Sequence, residues 1–185
     1  NDFVRDAFEE ISKVNRELFA MIPFPVVFVE EDPYQSAKEM RERVLKEKVI
    51  YIFTVFGGHP YLDQEANNMG RAVHDVYAHL VCGCPFNFEG EYNAYLEQRN
   101  YYPDWTWKVL FAEIPAQTSA FYYQGIIGDK SSPFYTGVGN FDYTQRAIEA
   151  PQEWLDLCEP LKRSYEGGIL DPFTLAIKSE AVASK

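Results

Sequence analysis

All three histidines of the chain, His59, His74 and His79, fall within one short stretch. Asp75 follows His74 directly, so two imidazoles and a carboxylate occupy six consecutive positions. Two further carboxylates stand in unusual company. Glu91 lies among aromatic and small residues, and Glu113 sits between Phe111-Ala112 and Ile114-Pro115. A carboxylate in apolar surroundings is costly unless it is paired, protonated or bound to a metal. Two imidazoles with one or two carboxylates suit a divalent ion such as Zn, Mn or Fe. The expected ligands are His74, His79, Glu91 and Glu113. Such an ion polarises a substrate oxygen or supplies hydroxide, with Glu113 or Glu91 as general base and Asp75 as a third catalytic carboxylate.

Helix geometry limits this arrangement. Residues 63–82 read as one helix, with Asp63 as its cap and Glu65 in its first turn, where the dipole favours an acid. At about 100° per residue, Met69, Ala72, Val73, Val76, Tyr77 and Leu80 form one apolar face. His74 and His79 then lie about 140° apart, on opposite edges of that face. They cannot chelate one ion from a regular helix as an i, i+4 pair would. A π-bulge, or a helix that begins near His74, removes the obstacle. The alternative reading of the same residues is structural: hydrogen-bonded edge histidines, with Asp75 bonded to Arg71. Cys82 shares the helical line of Asp75 and His79. A Cys-His nucleophile pair competes there with a small buried side chain, and the second reading is the simpler.

The pattern resembles a family encoded mainly by bacteriophages and mobile elements. Its Arg-Ala-Val-His-Asp-x-x-x-His core is matched by Arg71-Ala72-Val73-His74-Asp75 and His79, after His59-Pro60, Glu65 and Asn67. Its Phe and Gly-Glu-x-Asn-Ala elements are matched by Phe88 and by Gly90-Glu91-Tyr92-Asn93-Ala94. Its Glu-x-x-x-Gln-x-Ser element is matched by Glu113, Gln117 and Ser119. The resemblance covers residues 59–120. It departs at Ala78, where the family has Gly, and around Glu113, where Ala112 and Pro115 replace Thr and Arg. It implies that His74, Asp75, His79, Glu91, Glu113 and Gln117 belong to one site. His59, Arg71 and Gln117 are expected to support the ligands from behind. Two functions follow as expectations. One is a divalent-metal-dependent, hydrolase-like domain of phage type. The other is a virion structural or virion-associated protein, with protein partners, whose polar cluster is only a hydrogen-bond network.

The elements that must position these residues follow from periodicity. Residues 2–20 carry Phe3, Val4, Phe8, Ile11, Leu18 and Phe19 at helical spacing, with Asp2 as cap. Residues 24–29 are an apolar, β-branched run, read as a buried strand. Residues 36–47 form a charged surface helix with a stripe of Ala37, Met40 and Val44, and 49–56 form a second strand. Strand, helix and strand over so short a span suit a single βαβ crossover. Residues 89–100 and a segment from Trp105 toward Gln124 read as helices, the latter capped by Asp104 and kinked at Pro115. An ordered aromatic loop is expected over 125–142, a last helix from Tyr143 to about Tyr165, with Pro151 either starting its second part or bending it, and a weakly amphipathic tail after Asp171. The fold expected is α+β, mainly α: several packed helices with a small two- or three-stranded β element in the N-terminal third. One domain is expected over residues 1–185.

Composition then removes partners. The chain has 185 residues and a net charge of -11, from 28 acids against 17 bases. That argues against nucleic acid and anionic membranes, which call for clustered Lys and Arg. Hydrophobic residues at 46% and aromatics at 16% exclude a disordered chain. The longest apolar run, 49–56, is far short of a membrane span. The Asn1-Asp2-Phe3 start is no signal peptide and reads as the end of a processed or trimmed piece. Cys82-Gly83-Cys84 is too tight for an unstrained bridge to itself, and with Cys158 the count is odd. Reduced thiols in host cytoplasm or a virion are expected. Nucleophile-elbow, phosphate-loop, dinucleotide-glycine and His-Glu-x-x-His patterns are all missing from the sequence.

Overall fold

The structure is a computed structural model that describes residues 1–55, 57–116 and 147–178. Among them helices dominate, joined by two small two-stranded sheets. The class is α+β and mainly α.

Helix α1 (Asp2–Ala20) buries Val4, Ala7, Phe8, Ile11 and Leu18, one stripe at helical spacing. Its cap is Asn1, whose side-chain oxygen accepts the Phe3 N–H, one residue earlier than the Asp2 expected. Strand β1 (Val26–Val29) and strand β2 (Ile50–Phe53) pair in parallel, with Val26 opposite Ile50 and Val29 opposite Phe53. Helix α2 (Ala37–Glu47) connects them, capped by Ser36 on the Glu39 N–H. Its buried stripe is Ala37, Met40 and Val44, as the periodicity requires. The Arg43 guanidinium lies over the rings of Tyr34 and Tyr51 and ties α2 to the sheet.

β1 is not the buried strand expected. Val27 and Phe28 are both exposed, because among the described residues this sheet has two strands and little covers its outer face. Parallel strands ordinarily carry cover on both faces, so an apolar β-branched run reads as buried.

Helix α3 (Gln64–His74) starts at the Asp63 cap, which accepts the Ala66 N–H. It does not stop at His74. The backbone widens into a π-helical turn over Asp75–Leu80 and regains α-geometry at 81–82. Helix α4 (Phe88–Gln98) begins at Asn87, which caps the Gly90 N–H. A short 3-10 turn (Asp104–Thr106) leads into α5 (Trp107–Phe111) and a second π-helical turn, Ala112–Ala116, that contains Pro115. The expected kink at proline therefore takes the form of a widened turn. The proposed continuation to Gln124 and the aromatic loop over 125–142 lie outside the described residues.

Residues 143–146 of the expected last helix lie outside the described residues, and among those described it is shorter than its pattern implied. Residues 147–151 are not helical, and α6 spans only Gln152–Cys158 after an extended Pro151. Proline favours an extended residue before it and fixes the first helical turn after it, so the run is cut there. Strands β3 (Leu170–Asp171) and β4 (Ala176–Ile177) close an antiparallel hairpin where only a tail was expected. One cluster of buried side chains runs from Val4 through Ile50, Val76, Tyr95 and Phe111 to Leu170. Tyr77 at its centre donates its hydroxyl to the Leu18 carbonyl, 2.6 Å away, and so fastens the π-helical turn to α1. Among the described residues, no helix is long and apolar enough to cross a membrane.

Candidate metal centre

The π-helical turn removes the angular obstacle between the histidines. An i→i+5 hydrogen-bonding pattern places residue i+5 about one turn above residue i. His74 and His79 are five apart, so both rings rise on the same side of the widened helix. Their Nε2 atoms lie 3.0 Å from each other. The rings meet nearly at right angles, 87°, with centroids 4.7 Å apart.

α4 supplies the third group. The Glu91 carboxylate spans both imidazoles, with Oε2 2.8 Å from His74 Nε2 and Oε1 3.1 Å from His79 Nε2. These three residues could hold a metal ion: one ligand atom from each lies within 4.8 Å of the other two. A tetrahedral ion with ligands at about 2.0–2.1 Å sets neighbouring ligand atoms about 3.3 Å apart. The observed separations need only a slight outward movement to reach that.

The far side of each ring is occupied by an acceptor. His74 Nδ1 lies 2.7 Å from Gln98 Oε1, and His79 Nδ1 lies 2.9 Å from the Cys84 carbonyl. Each Nδ1 therefore donates, and in the neutral ring each Nε2 is left with its lone pair toward Glu91. The Gln98 amide is itself held. Its nitrogen donates to the Tyr102 hydroxyl at 3.0 Å, and that hydroxyl donates to Asn15 on α1. This fixes which end of the amide faces His74.

The group sits at the edge of the core. His79 is fully buried and Glu91 and Gln98 nearly so. Burial opposes charge on His79, yet the Glu91 carboxylate overrides it and pushes the pKa up to about 9. The same contest raises His74. Burial would push Glu91 up, but the two imidazoles hold it well below the usual carboxylate range. Without an ion, the cluster therefore retains a proton between rings whose lone pairs would otherwise face each other.

A cavity of about 300 Å³ opens on this group. His74, Asp75, Glu91, Gln98 and Glu113 line it, with Phe8, Ile11 and Ile52 on the apolar side. His79 does not line it, so the open side of the group is the side of His74 and Glu91. Burial pushes the Asp75 carboxyl up, against the pull of His74 and His79.

The remaining expected residues divide. Glu113 stands on the wall of the same cavity, but its hydrogen-bond partner is His59, at 3.3 Å, and it is not one of the three converging ligands. His59 accepts the N–H groups of Tyr61 and Leu62 on Nδ1, so its Nε2–H is the atom that donates to Glu113. Arg71 donates to the Phe53 carbonyl and lies over the Phe53 ring, and its charge also draws the Asp75 carboxyl down. Gln117 lies outside the described residues. Ala78, the departure from the family glycine, is fully buried against Cys84 and Ala94.

Sequence reasoning missed Gln98 and Cys84 as supports. Gln98 carried a signal, since it stands seven residues after Glu91 and so on the same face of α4. Cys84 carried none, because its contribution is a carbonyl. Comparison with known proteins adds no further assignment: no family model, no curated protein and no solved structure matches the chain.

Proposed function

We propose that this protein binds one divalent metal ion on His74, His79 and Glu91 and is a hydrolase-like enzyme. The observation that carries the reading is the orientation of the two rings. Both Nδ1 atoms are committed to oxygen acceptors, and both Nε2 atoms converge with a carboxylate. That is how metal-binding histidines are held, with the outer hydrogen bond fixing tautomer and direction.

Zn, Mn and Fe all suit this donor set. When bound, such an ion polarises a substrate oxygen or lowers the pKa of a bound water. The chain's own residues supply the rest. Gln98 and the Cys84 carbonyl hold the imidazoles in place. The apolar wall around Phe8, Ile11 and Ile52 limits water and favours a small substrate with an apolar part. Glu113, steadied by the His59 N–H on the wall of the same cavity, would take the proton from an attacking water. Asp75 is the second carboxyl on the cavity wall.

On the resemblance over residues 59–120, the protein is of bacteriophage or mobile-element type and acts in a virion or in host cytoplasm. Metal analysis of the native protein tests the central reading. About one equivalent of Zn, Mn or Fe is expected, absent from His79→Ala. Metal-free native protein, with unchanged behaviour of His79→Ala, refutes it.

One observation favours a second reading. Glu91, His74 and His79 already satisfy one another without an ion. As a structural network they would fix α3 against α4 in a virion component with protein partners. Stoichiometric presence in purified particles, together with metal-free protein, is its signature.

A further inference from the structure

A second cavity of about 790 Å³ shares no lining residue with the first. Arg99, Lys162, Arg163 and Lys178 line it, against only Glu97 and Glu166. That balance is the reverse of the whole chain, in which acids outnumber bases 28 to 17. The buried Nε of Arg99 has no hydrogen-bond partner among the described residues. One side chain on the wall is a thiol, Cys82.

Cys82 is not alone. Its sulfur lies 2.6 Å from that of Cys84. Cys82 is half-buried at the cavity, whereas Cys84 is fully buried behind it. Gly83 makes the approach feasible with a φ of +74°. A Cβ there would meet the Glu166 oxygen and the Gly168 nitrogen at 2.6 Å, so the conformation is locked from outside. Arg41 adds a cation that interacts with both thiols, and its buried Nη1 has no partner among the described residues.

We propose that Cys82 and Cys84 form an exchanging dithiol whose substrate is a small disulfide bearing carboxylates, held in this basic cavity. Cys82 sulfur attacks one sulfur of the incoming disulfide, forming a mixed disulfide and expelling one thiolate. Cys84 sulfur then attacks the Cys82 sulfur, breaking the mixed bond and expelling the second thiolate. The two cysteine protons end on the two leaving groups. The protein loses two electrons and the small disulfide gains them. A bridge between cysteines two apart is strained, which makes it readily reduced again and suits exchange better than permanent support. The exposed and buried members match the attacking and resolving roles. Cys84 also touches His79, through its carbonyl at 2.9 Å and its sulfur at 3.4 Å, but the exchange uses neither the imidazole nor a metal.

The test incubates the reduced full chain with oxidised glutathione, which is anionic, and separately with cystamine, a cationic disulfide with the same reacting bond. A chain of net charge -11 repels anions at long range, so any preference for glutathione must arise locally. Oxidised glutathione is expected to give a mass loss of about 2 Da, mapped to the peptide holding residues 82 and 84. This reaction is expected to run at least about tenfold faster than with cystamine, an excess that shrinks as salt rises. The surface variant Lys162→Glu/Lys178→Glu removes the excess. Cys82→Ser abolishes the reaction, Cys84→Ser stops it at a mixed disulfide on Cys82, and Cys158→Ala leaves it unchanged. Equal rates for the two disulfides, or first attack by Cys84 or Cys158, overturns the proposal.

Discussion

The charge state of the histidine–carboxylate cluster gives two stability profiles of opposite slope. In metal-free protein, Glu91 raises the His79 pKa from the ordinary value near 6.5 to about 9. His79 is fully buried, so this is a folded-state effect. A raised pKa contributes stability that is complete below the unfolded value and is lost as pH rises through the folded one. The difference corresponds to about 3 kcal/mol, lost between pH about 6.5 and about 9. Glu91 is depressed, so its contribution is present above its unfolded value near 4.5 and is lost as pH falls below that. Metal-free protein is therefore expected to be most stable in the window between those values. Metal acts the other way, because it binds neutral imidazoles and displaces the proton. Its stabilising increment must grow across the same range in which the metal-free protein weakens. Urea unfolding from pH 5 to pH 9.5, in chelator and then in excess Zn, measures both. Glu91→Gln should abolish the alkaline loss in the first series and the metal increment in the second. A flat metal-free profile above pH 6.5, or a metal increment independent of pH, refutes the reasoning.

Other perturbations separate support from ligation. Gln98→Leu removes the acceptor of the His74 Nδ1–H, so metal affinity should fall by roughly 10–100-fold in a chelator competition; an unchanged affinity sinks the support role. Gly83→Ala puts a Cβ against backbone at 2.6 Å with φ at +74°, and should lower stability by about 1–3 kcal/mol in denaturant. Met40→Ala empties a fully buried position under α2 and should cost about 2–5 kcal/mol; a smaller loss would show that α2 does not close the core.

How much was legible beforehand depends on the range of the interaction. Local rules placed α1, α2 and the start of α3, because a 3.6-residue stripe, Ser36 and Asp63 act within one turn. They failed where cover decides the outcome. The apolar run of β1 reads as buried, yet Val27 and Phe28 are exposed because no third strand joins β1 and β2 among the described residues. The start of α6 just after Pro151 is one of the two roles the sequence offers that proline, and only the structure shows that residues 147–151 before it are not helical.

The sequence by itself determined the candidate donors, one carboxylate too many among them. Two imidazoles five residues apart and a carboxylate in apolar company are facts of residue type and spacing. Applied to a regular helix, that spacing forbade a shared ion and left two ways round it, a π-bulge or a helix that begins near His74. Only the tertiary structure decided that the π-helical distortion is the one that occurs. Tyr77 is anchored to α1, Ala78 is pressed against α4, and the i→i+5 turn between them brings His74 and His79 together. The same packing decided which carboxylate completes the group. Glu91 and Glu113 look alike along the chain, but α4 faces the histidines while the second π-helical turn hands Glu113 to His59. Side-chain type is written residue by residue. Which side chains meet depends on the angle and offset of packed helices, and those are set by the whole core at once.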